Sequence, residues 1–153
     1  MDDEHPVQIR RADAKELIDL RHAVLRAGFG REAATFPGDD DPSARHFAAV
    51  CDGRVVGTLT LHRSRWENQP AWQLRGMAVD PALQRRGIGA QLLLAAEQSI
   101  ANDFRARQLW CNARVPAIEF YAKHGWAVAS DTFEVPESGP HVKMIKRVGQ
   151  QVR

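Results

Sequence analysis

The segment Gln84-Arg85-Arg86-Gly87-Ile88-Gly89-Ala90 places two cations and two glycines where a helical pattern begins. A helix N-terminus leaves its first amide N–H groups without partners, and they carry partial positive charge. Glycine lets a ligand approach that backbone with no Cβ in the way. With Arg85 and Arg86 beside it, this is the chemistry of phosphate or pyrophosphate recognition by backbone amides. Two other phosphate motifs do not fit. No Lys-Ser or Lys-Thr follows the glycines, as a P-loop requires, and the residue three after Gly89 is Leu92, where a dinucleotide fingerprint has its third glycine. The short motif alone leaves open a plain glycine-rich start to a helix.

The elements around the turn follow from periodicity. Val7–Arg10 reads as a short strand, and Ala12–Gly28 as a helix with Leu17, Leu20, Ala23 and Val24 on one face. The Gly-, Pro- and Asp-rich run from Phe29 to Ala44 reads as loop. His46–His62 is a hairpin signal about Asp52-Gly53, with Val55, Gly57, Leu59 and Leu61 alternating with Val56, Thr58, Thr60 and His62. The run Arg63–Pro70 reads as a polar connection to a third strand, Ala71–Val79. Asp80-Pro81 is a turn, and Ile88, Leu92, Ala95, Ala96 and Ile100 then repeat at helical spacing. Arg107–Arg114 reads as a strand, Val115–Gly125 as a short helix, and Trp126–Ser130 and His141–Arg147 as closing strands. The expectation is a single mixed α/β domain spanning 1–153, with its core at about 7–147.

Composition narrows the partners. The chain has 153 residues, 44% of them apolar and 26% charged, which fits one globular domain. A formal net charge of +2 is too small to argue for nucleic acid, and the arginines are scattered. Residues 1–11 hold no leader-like apolar stretch, and the longest apolar run, Leu92–Ala96, is too short to span a bilayer. A cytoplasmic protein with no membrane association is expected. Cys51 and Cys111 fall in apolar runs without metal-ligand spacing, so both read as buried free thiols, and no metal is expected.

Two landmarks together carry a family resemblance. Val79-Asp80-Pro81 followed by Gln84-x-x-Gly87-x-Gly89 resembles the coenzyme signature of the GCN5-related N-acetyltransferases, the GNAT family. Ala117-Ile-Glu-Phe-Tyr-Ala-Lys-His-Gly-Trp126 resembles that family's second segment, in the same order and at the usual separation. The resemblance covers about Val7 to Lys146. It implies a mixed central sheet of about six to seven strands with about four helices, in which two splayed parallel strands hold coenzyme A. It implies transfer of an acetyl group from acetyl-coenzyme A to an amine of a small molecule or peptide, by direct attack in a ternary complex.

Residue by residue, the resemblance puts the pyrophosphate on Gln84, Arg85, Arg86, Gly87, Ile88, Gly89 and Ala90. The pantetheine arm lies along Met77, Ala78 and Val79, where a backbone N–H polarises the thioester carbonyl. Asn112, Ala117 and Phe120 complete the coenzyme side. Many relatives carry an asparagine seven residues before the tyrosine. That position is Arg114 here, and the asparagine stands at Asn112. Tyr121 matches the general acid for the leaving thiolate. A tyrosine near 10 facing a thiol near 8.5 leaves the transfer uphill by roughly 2 kcal/mol. Tyr121 therefore needs a lowered pKa, or acts as a hydrogen-bond donor while charge develops.

The acceptor side is less determined. His62, Glu67 and His141 are the candidates for touching the amine or taking its proton. Asp39, Asp40 and Asp41 could attract a cationic amine or merely be solvated. Small metabolites, antibiotics, peptide N-termini and protein lysines all remain open as acceptors, and family habit leaves a homodimer open. The alternative from another class is a non-catalytic module that binds acyl-coenzyme A as a sensor or interaction partner.

Overall fold

In the computed structural model, which describes residues 6–103 and 105–149, the chain runs β1 (Gln8–Ala12), α1 (Ile18–Leu25), β2 (Arg45–Cys51), β3 (Arg54–Trp66), β4 (Gln69–Val79), α2 (Ile88–Ile100), β5 (Gln108–Arg114), α3 (Ile118–Lys123), β6 (Ala127–Val128), β7 (Phe133–Val135) and β8 (Gly139–Arg147). The strands form one sheet in the order β1-β2-β3-β4-β5-β8-β6, with β7 on β8. All pairs are antiparallel except β4 and β5. Among the described residues there are eight strands where six to seven were expected, and three α-helices plus short 3-10 turns where about four helices were expected.

Alternation on β3 sorts the two faces. Gly57 meets Leu92 and Ile88 of α2, and a Cβ on Gly57 would stand only 2.9 Å from the Leu92 side chain. Glycine is therefore what lets α2 lie close on the sheet. Thr60 and His62, of opposite parity, face Arg21 of α1 and the loop after it. The core lies chiefly between the sheet and α2, where Leu59, Leu61, Trp72, Leu92, Leu93, Ala96, Ile100 and Leu109 are buried. The first helix departs from its expected face. Arg21 is fully buried four residues after Leu17, while Ala23 is exposed.

Both hairpin tips that connect β2 to β3 and β3 to β4 are tight. Asp52 and Gly53 have φ of 53° and 76°, and Glu67 and Asn68 have 49° and 68°. Positive φ at both central residues is the mirror-image turn that matches strand twist. The run 63–70 is thus not a connection: β3 continues through Trp66 and β4 starts at Gln69. Strand β7 was not expected at all. It is three residues long and pairs Phe133 with His141.

The geometry that creates the site is on β4. Its ladder to β3 slips between Thr58 and Thr60, opposite Gly76, whose φ is +66°. That bulge bends the strand. Pairing with β5 is confined to Trp72–Leu109 and Gln73–Trp110. Beyond Gln73 the two parallel strands have parted, which is the splay that was expected.

Candidate functional site

The parted strands open a cleft of roughly 1130 Å³, floored by Gln73–Val79 of β4 and Cys111–Arg114 of β5. At one end lies the turn before α2. Gly87 caps that helix in the left-handed conformation (φ 80°), no side chain caps it, and its first turn holds no acid. The first turn-closing amide is Gln91, donating to Gly87 O at 3.0 Å. The preceding N–H groups at Ile88, Gly89 and Ala90 are thus available to an anion. A Cβ on Gly87 would meet nothing within 4 Å, whereas one on Gly89 would press the Phe120 ring at 3.3 Å. Arg85 holds φ at +71°, a conformation that costs a non-glycine residue about 1–3 kcal/mol. Gln84 donates to Val79 O at 3.2 Å, tying the turn to the end of β4. Gln84, Arg85, Gly87, Ile88, Gly89 and Ala90 line the cleft with Met77, Ala78, Val79, Asn112, Ala117 and Phe120, but Arg86 does not.

Mid-cleft, Tyr121 is buried against Phe120 and Trp126, with ring centroids 5.2 Å from each. Its hydroxyl lies close enough to the Cys111 thiol for the two groups to shift one another. Burial raises the Tyr121 pKa well above its ordinary value, and Cys111 adds to this. Burial likewise pushes the Cys111 thiol up to about 12, so it stays protonated. A lowered tyrosine pKa, one of the two expectations, is therefore overturned: burial of the ring disfavours a phenolate, and among the described residues no cation offsets it. Asn112 is engaged by Lys143, whose Nζ donates to Oδ1 at 2.9 Å.

The three acceptor candidates separate. His141 lines the cleft, buried, stacked near Phe133 at 6.1 Å, with Nδ1 donating to Gly139 O at 2.9 Å. A carbonyl can only accept, so the neutral ring keeps its lone pair on Nε2. Glu67 is a correction. It is exposed at the β3–β4 tip, at the opposite end of β4 from the glycine turn, and does not line the cleft. His62 is a second correction. It is buried outside the cleft lining, and its Nε2 donates to Asp39 Oδ1 at 3.1 Å. Asp39 is not solvated bait for an amine either. It is buried and accepts from Arg21 Nη1 at 2.6 Å and Phe36 N at 2.8 Å. Burial opposes its charge, but hydrogen bonds from His62, Arg21 and Phe36 prevail and hold the carboxyl well below its usual range. Thr60 Oγ1 accepts from Arg21 at 2.8 Å and donates to His46 Nδ1 at 2.8 Å, and His46 Nε2 donates to Asp39 O.

Sequence reasoning missed Phe36, Arg26 and Arg75, which line the far end of the cleft with Arg114. The guanidinium carbons of Arg21, Arg75 and Arg26 lie 4.1, 4.5 and 5.5 Å from the Phe36 ring centre. The alternation of β5 was a usable signal for Cys111, because it sets Cys111 and Ala113 inward against Asn112 and Arg114 outward. The loop carrying Phe36 had none.

Comparison with known proteins agrees with this geometry. Residues 14–126, more than half of the chain, match the model of the acetyltransferase (GNAT) family. The uncharacterized N-acetyltransferase YitI of Bacillus subtilis (strain 168) is 26% identical over 146 residues, spanning 92% of this chain and 95% of its own. Among solved structures, Escherichia coli ElaA superposes with a TM-score of 0.78 at 17% identity, covering 93% of this chain and all of that one. An aminoglycoside 6'-N-acetyltransferase complexed with coenzyme A does so at 0.75 and 16%, covering 95% of this chain and 99% of its own. The chain belongs to the acetyltransferase (GNAT) family.

Proposed function

We propose that the protein moves an acetyl group from acetyl-coenzyme A to an amine by direct attack in a ternary complex. The observation that carries this is the parting of β4 from β5 beyond Gln73, which joins the open amides of α2 to Tyr121 in one cleft. The residues fit the coenzyme. The backbone N–H groups of Ile88, Gly89 and Ala90, with Arg85, would hold the pyrophosphate, and Gly87 leaves room where a side chain would intrude. The free edge of Met77–Val79 would pair with the pantetheine amides as a strand does. Acetyl-coenzyme A, when bound, supplies an activated thioester.

This chain's own residues do the rest. A β4 backbone N–H donates to the thioester oxygen as negative charge gathers there. Nε2 of His141 takes a proton from the ammonium, freeing the nitrogen lone pair. The C–N bond would form, the C–S bond would break, and the second proton of the attacking nitrogen would pass to the departing sulfur, which leaves as the thiol. The Tyr121 hydroxyl would donate a hydrogen bond to the departing sulfur. Because its pKa is raised, it stabilises the thiolate rather than surrendering its proton outright. Cys111 remains a neutral thiol and carries no acyl group.

A panel of amines assayed for thiol release tests the reading. The expected result is amine-dependent release whose double-reciprocal lines intersect. Parallel lines would point to an acyl-enzyme, and coenzyme binding without release for any amine would mark a non-catalytic sensor.

A further inference from the structure

The far end of the cleft is a concentration of positive charge. Arg26 and Arg75 flank Phe36 on one wall, and Arg114 stands at the end of β5. Arg21, the third guanidinium on that ring, is neutralised by Asp39, and Asp39 is fully occupied by Arg21, His62 and Phe36 N. Among the described residues, none of Arg26, Arg75 or Arg114 forms an ion pair with a carboxylate. Arg26 donates only to its neighbour's carbonyl, Leu25 O, at 3.0 Å. Among the described residues, the one acid lining the cleft is Glu119, on α3 beside Phe120, which packs against Gly89 at the glycine-turn end.

The partly buried guanidinium groups of Arg26 and Arg75, with the exposed Arg114 beside them, are unfavourably placed unless something anionic joins them. The strain is mutual. Burial depresses Arg75 and Arg26; Arg26 is depressed further by Arg114 and Arg21, and Arg75 by Arg26 and Arg21, with Asp39 opposing the shift at Arg75. An acceptor bearing several amines would add to that repulsion. An acceptor bearing a carboxylate would relieve it, through charge-assisted and planar bidentate hydrogen bonds. His141, opposite Arg114 in the β5–β8 register, lies at the same end, so an amine near its Nε2 and a carboxylate on the arginines can belong to one small molecule.

We propose that Arg26, Arg75 and Arg114 form an anion subsite, and that the acceptor is a small amine that also carries a carboxylate, of the amino-acid class. This rests on the acetyl-transfer reading. It goes further in naming the acceptor's second functional group. Arg75, stacked on Phe36, is the principal contact and a specificity determinant, since the ring holds its guanidinium plane in place.

The experiment compares matched pairs: free amino acids and their carboxamides, which keep the amine and lose the negative charge. Acetyl transfer by the full chain is expected to favour the acid over the amide by at least about tenfold in kcat/KM, with the preference shrinking as salt rises. In Arg75→Met and Arg26→Met the gap is expected to collapse, through KM for the acid, while KM for acetyl-coenzyme A holds and circular dichroism reports an unchanged fold. Arg75→Lys should retain part of the preference. Equal or better use of the carboxamides by the wild type would overturn the subsite, as would a rise in KM for acetyl-coenzyme A alone, which would assign the arginines to the coenzyme. Should no amine turn over, the failure belongs to the acetyl-transfer reading. The subsite is then read by calorimetry of N-acetylated amino acids, and of their carboxamides, into the coenzyme A complex. Tighter binding of the acids that Arg75→Met weakens by tenfold sustains it, and no difference overturns it.

Discussion

Tyr121→Phe is expected to lower kcat by about 10²–10³ while leaving the affinity for acetyl-coenzyme A within a few-fold of wild type. The reasoning starts from the mismatch between phenol and thiol, already roughly 2 kcal/mol uphill for free side chains. Burial among Phe120 and Trp126 widens it, because a phenolate there would be poorly solvated. The hydroxyl is thus most useful as a neutral donor that meets sulfur as charge appears on it. Removing one such donor from a water-poor site costs on the order of 10²–10³ in rate. Phenylalanine preserves the ring contacts, and the Cys111 thiol left behind is a weak hydrogen-bonding group whose isolation is cheap. Steady-state kinetics on the variant, with coenzyme titration alongside, checks both halves. An unchanged kcat would remove Tyr121 from the chemistry.

The largest effect on stability is expected at Asp39. Arg21 is fully buried, and its charge is compensated by this one carboxylate. Asp39→Asn keeps the volume and strands the guanidinium, which costs about 3–5 kcal/mol in comparable buried pairs. For a chain of this size that is a fall in Tm on the order of 10 °C. Scanning calorimetry measures it. The same network gives stability a pH slope of known sign. His46 is held below its ordinary value, chiefly by burial, so the unfolded chain binds its proton first and stability declines as pH drops below about 6.5. Asp39 is held low as well, so its contribution is intact above about 3.9 and is lost as pH falls further toward its folded value. In Asp39→Asn the second, acidic limb of the decline should be shallower, with the remainder coming from the other carboxylates held low, Glu16, Asp41, Asp80 and Asp103.

The glycine turn was legible because its physics is local. Gly87 in the left-handed conformation and an uncapped helix start are written in adjacent residues. The two parting strands were legible only through the family resemblance, since nothing in the composition of 71–79 signals where pairing with 107–114 stops. The β3–β4 hairpin was misread because its outer half leaves the core. Arg63, Arg65, Gln69 and Pro70 are exposed, so the apolar alternation that marks a strand is missing there, and the turn uses Glu67-Asn68 instead of glycine. That error put Glu67 near the acceptor. The misplacement of His62 and Asp39 has another origin. Their meeting depends on a contact between the loop after α1 and the face of β3, 23 positions apart, with a buried arginine as the link. Periodicity assigns an arginine to the surface, so Arg21 hid the network. The arginine end of the cleft was obscured in the same way, because Arg26, Arg75 and Arg114 converge only once α1, β4 and β5 are in place.

The central claim is that coenzyme A sits on the turn before α2 and extends into the parted strands. The direct measurement is calorimetric titration of acetyl-coenzyme A into the wild type and into a Gly87→Glu, Gly89→Glu variant, both checked for fold by circular dichroism. The predicted result is one-to-one binding on the order of micromolar for the wild type. It should be abolished in the variant, where carboxylates occupy the anion's place and a Cβ presses on Phe120. Absence of binding by the folded wild type, or undiminished binding by the variant, would contradict it.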